Sequence, residues 1–195
     1  MYAFNGHGKS ATVIDASSGK VVATVPLSGK PEFAVSDPAA GRIYVNIEDK
    51  IEVAVIDTAK HTVINTWPIA PGESASGLAI DLKHHRLFLG CDNKMMLMMD
   101  SSDGRVLVHV SIGDHVDANA FDPGTQLAFS SNGEGNVAIA HEDSPEKLTI
   151  VQTLPTEPKA RTMALDPETH KIYLASAKFD APADPKQRPK IIPAR

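Results

Sequence analysis

The chain has 195 residues, 42% of them hydrophobic, and a formal net charge of −5. That is enough apolar material for a core, and a mild acidic balance without a basic stripe argues against nucleic acid as the main partner. No run approaches the roughly 18 apolar residues of a membrane-spanning helix, and the single Cys91 excludes an internal disulfide.

Met1 leads directly into Tyr2-Ala3-Phe4, which reads as strand rather than as a secretory leader. Residues 1–31 give three strands, near 2–5, 11–15 and 20–26. From Glu32 a repeating pattern sets in. Phe33-Ala34-Val35-Ser36-Asp37-Pro38 is apolar and stops at Asp-Pro, because proline fixes φ and cannot donate to a ladder. Gly41 releases a turn into Arg42-Ile43-Tyr44-Val45-Asn46, rich in β-branched and aromatic residues. Ile51, Val53 and Val55 alternate as in a half-buried strand, and Thr62 to Trp67 supplies a fourth.

The same sequence of signals then recurs. Asp37, Asp81, Asp122 and Asp166, each closing an apolar run, are 44, 41 and 44 residues apart. A second marker keeps step: Val13-Ile14-Asp15, Val55-Ile56-Asp57, Met98-Met99-Asp100 and a degenerate Ile139-Ala140-His141-Glu142. A fixed period of this size with four short strands per repeat predicts an all-β fold, a β-propeller of four-stranded antiparallel blades. The regular period disfavours a β-sandwich. The expected division is a partial blade over 1–31, full blades over 32–76, 77–117 and 118–161, a partial blade over 162–177, and a Pro-rich irregular tail over 178–195. That is about four to four and a half blades per chain. The recurrent aspartates read as turn formers whose carboxylates accept backbone N–H groups.

Ala11-Thr12-Val13-Ile14-Asp15 through Leu27, followed by Gly29-Lys30-Pro31, resembles the YVTN-type β-propeller repeat family. Arg42-Ile43-Tyr44-Val45-Asn46 resembles the strand that names that family. The resemblance covers most of residues 9–176 and weakens in the third complete repeat. There Ala128-Phe129-Ser130 replaces the tyrosine strand and His141-Glu142 replaces Ile-Asp. It implies a bacterial protein with a periplasmic or secreted parent, in a family most of whose members have no assigned reaction, with about seven blades as the usual number. Against that number the chain reads as a fragment or a half-length member. Its two partial blades are complementary, so self-association of two chains that complete each other's split blade is expected, ahead of a closed four-bladed ring.

In a propeller the blade-linking loops and the loops between second and third strands share the face around the central channel. That set offers Lys30 and Glu32, His7, Asp114, His115 and Asp117, and Arg161. His115 with Asp114 and Asp117 is the sharpest cluster. An imidazole beside carboxylates suits a divalent metal, with His7 as a further ligand across the channel, or an acid–base pair. Other features read as bland. His84-His85 and His141-Glu142-Asp143 fall in turns on the opposite face, and Met95-Met96-Leu97-Met98-Met99 fills a core strand slot. Gly6-His7-Gly8-Lys9-Ser10 lacks the glycine spacing and the helix of a phosphate loop. The leading expectation is a non-enzymatic binding or scaffold protein using the loop face, with no catalytic residue assigned. The alternative is a propeller enzyme or enzyme subunit, a metal-dependent hydrolase or a redox assembly, with a channel-centred site.

Overall fold

The computed structural model describes residues 1–178. A three-stranded sheet comes first: β1 (Tyr2–Asn5), β2 (Ser10–Ile14) and β3 (Val21–Pro26). Three four-stranded sheets follow. The first holds β4 (Pro31–Asp37), β5 (Arg42–Ile47), β6 (Glu52–Asp57) and β7 (Thr62–Pro68). The second holds β8 (Ala75–Asp81), β9 (Arg86–Cys91), β10 (Met95–Asp100) and β11 (Val106–Ser111). The third holds β12 (Val116–Asp122), β13 (Leu127–Asn132), β14 (Asn136–Ser144) and β15 (Lys147–Pro155). A two-stranded sheet of β16 (Thr162–Asp166) and β17 (Lys171–Ala175) comes last. Every pairing is antiparallel and joins consecutive strands. The Pro-rich tail expected over 178–195 lies, from 179 on, outside the described residues.

The strands fall where the repeat places them, with two differences. A single 3-10 turn, Glu48–Lys50, links β5 to β6 and closes on Ile51 at φ +56°. The expected blade starts at 77 and 118 lie inside β8 and β12, which begin at Ala75 and Val116. Both strands open with a shift of register, between Ala75 and Leu78 and between Val116 and Ala118. β4 opens with the same kind of shift, between Pro31 and Ala34, and in β12 the extra residue leaves Asp117 looking like loop while the backbone is already in the ladder.

The aspartates that end the strands do build the turns. Asp57 Oδ1 accepts from the N–H groups of Ala59 (2.9 Å) and Lys60 (2.8 Å). Asp81 Oδ1 accepts from Lys83 N–H (2.8 Å), Asp122 Oδ1 from Gly124 N–H (2.9 Å) and Asp166 Oδ1 from Glu168 N–H (3.0 Å). Donors favour the charged carboxylate. The Ser17 and Ser18 hydroxyls, with the Ser18 N–H, hold Asp15 at about 2. The Lys60 N–H lowers Asp57, and the Thr169 hydroxyl lowers Asp166.

The interior sheets are covered on both faces. All six residues of β9 are buried, and so are five of the six in β5 and in β13, so these strands show no alternation. The methionine run divides between two cores as its two-residue period requires. Leu97 and Met99 join Tyr44, Trp67 and Leu89 on one side, while Met96 and Met98 join Phe88 and Phe121 on the other. Side chains also stitch sheet to sheet. Asn46 Nδ2 donates to the carbonyls of Ser76 and Gly77 (both 3.0 Å), Tyr44 OH to Ser101 O (2.9 Å) and Asn119 Nδ2 to Phe88 O (3.2 Å). Phe88 and Phe121 stack across the same boundary at 4.9 Å. As a result β4, β8, β12 and β16 lie side by side in series.

Two expectations follow from this packing. Gly104, in the turn after β10, sits at φ +79°, and a Cβ there would lie 2.2 Å from Trp67 Cγ. Gly104→Ala combines left-handed strain with overpacking against a buried indole and should destabilise by about 2–4 kcal/mol. Urea unfolding should show a lower midpoint at unchanged slope. The depressed aspartates set the acid limit. Their folded values lie below the unfolded ones, so their contribution is complete above about pH 4 and disappears as pH falls through about 4 toward 2. Melting temperatures measured from pH 7 to pH 2 should hold and then fall across that window.

Candidate functional site

The loops before β12, between β13 and β14, and before β16 converge on one face. Backbone hydrogen bonds fix them: Gly133 N–H donates to His115 O, Lys159 N–H to Gly133 O and Thr156 N–H to Gly135 O, each at 2.9 Å. Between them lies a cleft of about 440 Å³ lined by His115, Gly133, Lys159 and Arg161. Gly133 lies close to His115: a Cβ there would stand 3.1 Å from His115 Cβ, tighter than ordinary contact.

The charges around this cleft are unevenly paired. Asp114 is held by Lys94 at 3.0 Å, which lowers its carboxyl below the ordinary range. His115 Nδ1 stands 3.8 Å from Asp114 Oδ1, with 75% of its side chain exposed. Arg161 Nε stands 3.8 Å from Asp117 Oδ1, and Asp117 Oδ2 accepts from the Thr162 hydroxyl at 3.4 Å. Both 3.8 Å separations exceed a hydrogen bond.

A second cleft on the same face, about 280 Å³, is lined by Gly6, His7, Lys9, Lys30 and Asp49. Its cations are occupied. Lys30 Nζ meets Glu32 (2.6 Å) and Glu48 (2.5 Å), which raise its pKa, and Lys9 Nζ meets Asp49 (3.0 Å). Burial first and then the Glu48 charge raise the Asp92 carboxyl, while His115 and Arg161 oppose.

The sequence-predicted residues therefore fall into two groups. Asp114, His115, Asp117 and Arg161 surround the first cleft; His7, Lys30 and Glu32 belong to the second. Of the expected metal set of His115, Asp117 and His7, His115 lines the first cleft and His7 the second. Among the described residues, the side chains that gather ligand atoms closely enough for a metal are Asp81, His84 and Glu142, all within 4.8 Å of one another.

Sequence reasoning passed over that cluster. Asp81 ends β8 and His84 lies in the turn that its Oδ1 organises, with His84 Nδ1 2.6 Å from Asp81 Oδ2. Glu142 comes from the next sheet, its side chain 0% exposed and Oε1 3.5 Å from His84 Nδ1. Burial, followed by the Asp81 charge, pushes its carboxyl up to about 7. The available signal was the broken marker at His141-Glu142. β14 and β15 run to nine residues each, where β6 and β10 have six. Glu142 stands in the slot of Ser101, which is equally buried and faces the preceding sheet, so the cluster arises because this repeat carries a carboxylate where the one before carries a hydroxyl.

The remaining features are structural. Cys91 is buried, and burial pushes its thiol up to about 12, which leaves no thiolate for chemistry near neutrality. His141 Nδ1 pairs with Asp143 (2.8 Å) at the surface.

No family model matches the chain, and no curated protein matches it. Solved structures do. A chain of the Kuenenia stuttgartiensis hydrazine synthase matches with a TM-score of 0.79 at 18% identity, covering 95% of this chain and 55% of that one. A chain of a mitotic checkpoint complex matches with a TM-score of 0.76 at 16% identity, covering 89% and 56%. The chain thus spans about half the length of the solved chains it matches. At these identities the likeness shows the fold alone: propeller-like, all-β, built from antiparallel four-stranded sheets.

Proposed function

We propose that the protein is a non-enzymatic β-propeller binding scaffold that takes a small anionic ligand on its loop face, in the cleft lined by His115, Gly133, Lys159 and Arg161. One observation carries this reading. On a chain of net charge −5, three cation-capable side chains converge on one cleft, and two of them, His115 and Arg161, stand 3.8 Å from the nearest carboxylate. The Arg161 guanidinium is ion-paired with Asp117 but too far from it for a hydrogen bond, and a guanidinium grips a carboxylate or phosphate through two parallel N–H donors. Glycine at 133 lets backbone and ligand approach closely. The alternative, a metal-dependent hydrolase or redox assembly, would require a channel-centred ligand set, and among the described residues the group that gathers ligand atoms is Asp81, His84 and Glu142, away from this cleft.

In this proposal the four-stranded sheets are blades of the YVTN-like kind, three complete and two partial, in a periplasmic or secreted setting. The outer edges of β1 and β17 are unpaired among the described residues, and a second copy of the chain is the partner that would cover them. Native mass spectrometry should then give twice the 20.8 kDa chain mass, and a bare monomer would sink the self-association.

Isothermal titration with inorganic phosphate and with citrate tests the ligand class. Saturable binding of one of them should weaken about tenfold or more in Arg161→Ala, the loss of one charge-assisted contact. His115→Ala should weaken it as well while leaving unfolding stability within about 0.5 kcal/mol of the parent, because an exposed loop side chain packs little. Binding of neither anion, or binding indifferent to Arg161, would refute the reading.

A further inference from the structure

The cluster of Asp81, His84 and Glu142 lies at the other end of the sheets from the clefts, since Asp81 closes β8 whereas the clefts are built from loops that precede first strands. Its unusual member is Glu142. The side chain is fully buried, and neither carboxylate oxygen has a hydrogen-bond partner; His84 Nδ1 is likewise without one of acceptable geometry. The nearby cation does not supply the missing partner. Arg86 donates to Pro145 O (2.6 Å), His85 O (3.0 Å) and Asp100 Oδ2 (2.8 Å). An unpartnered buried carboxylate is strongly disfavoured, and a second one beside it, Asp81, makes matters worse. A cation held between the two removes both penalties at once.

We propose that Asp81, His84 and Glu142 bind one divalent transition-metal ion of the zinc class, which pins the sheet β8–β11 to the sheet β12–β15. Two carboxylates and a neutral imidazole give a charge-neutral site with a dipositive ion, and this mixture of oxygen and nitrogen suits zinc or manganese better than calcium. The spacing agrees. Bonds of about 2.0–2.2 Å in a tetrahedron set neighbouring ligand atoms about 3.3–3.6 Å apart. His84 Nδ1 and Glu142 Oε1 are at 3.5 Å, and the 2.6 Å between His84 Nδ1 and Asp81 Oδ2 would open on binding. Two ligands are already held in place. Asp81 Oδ1 accepts from Lys83 N–H, which turns Oδ2 toward the imidazole, and Glu142 N–H donates to Gln126 O at 3.0 Å. His84 is part-exposed and forms the solvent side of the site, where water completes the coordination.

The test uses the whole chain after chelator treatment. Zinc chloride and manganese chloride are titrated by calorimetry and followed by thermal unfolding. One ion per chain should bind, and at a hundredfold excess over its Kd the melting temperature should rise by about 5–10 °C. Glu142→Gln, which keeps the shape and removes the charge, should fold as well as the parent without metal and lose at least tenfold in affinity; His84→Ala should lose a similar factor. A measurement on the unaltered chain guards against a poorly folded variant: substoichiometric manganese should broaden the amide resonances of Lys83, Gln126 and Glu142 first. Absence of stoichiometric binding, parent-like affinity in Glu142→Gln, or broadening centred on Asp114 and Glu134 would each overturn the assignment. The first would leave Glu142 as a protonated partner of Asp81.

Discussion

Everything in this molecule depends on the interior sheets being covered on both faces. A strand such as β9 can be apolar throughout only because a sheet lies on either side of it. Burial on two faces also removes water from backbone carbonyls at the boundaries, and these then need donors. Asn46, Tyr44 and Asn119 supply them from one sheet to the next, so hydrogen bonding and apolar packing fix the same geometry. The glycines follow from the same crowding: a Cβ at Gly77 or Gly90 would lie 2.6 or 2.5 Å from Asn119 Oδ1.

Much of this was legible in the sequence, because the signals are local. Period-two alternation, Asp-Pro stops and turn aspartates place strands without knowledge of neighbours, and the repeat confirms each by the next. Even the methionine run could be read correctly, since alternate residues of a strand must go to opposite faces. The expected starts at 77 and 118 fall two residues inside β8 and β12, whose first residues precede the bulges that open both strands.

The sites were less legible, because they depend on which loops meet. His7 and His115 share a face but not a cleft, and nothing in their spacing fixes that. Conversely, Asp81 and Glu142 are 61 residues apart on different sheets. His84 occupies the slot that Thr125 and Thr169 fill in later repeats, where a hydroxyl donates to the turn aspartate. A histidine in that slot looks like a substitution of no consequence until the next sheet places Glu142, in the slot that Ser101 fills one repeat earlier, beside it. The buried carboxylate without a hydrogen-bond partner, Glu142, thus lies at the end of the sheets away from the loop face, among otherwise paired charges.

The serial packing of β4, β8, β12 and β16 has a further consequence. Contacts that run mainly from each sheet to its neighbours in chain order make the molecule a short one-dimensional stack, in which stability is the sum of each sheet's own terms and the boundaries it shares. The sheet β8–β11, with complete neighbours on both sides, has the most boundary to lose, and the two-stranded sheet β16–β17 the least. Opening therefore begins at the ends and moves inward, and amide hydrogens of β9 are the last to exchange with solvent.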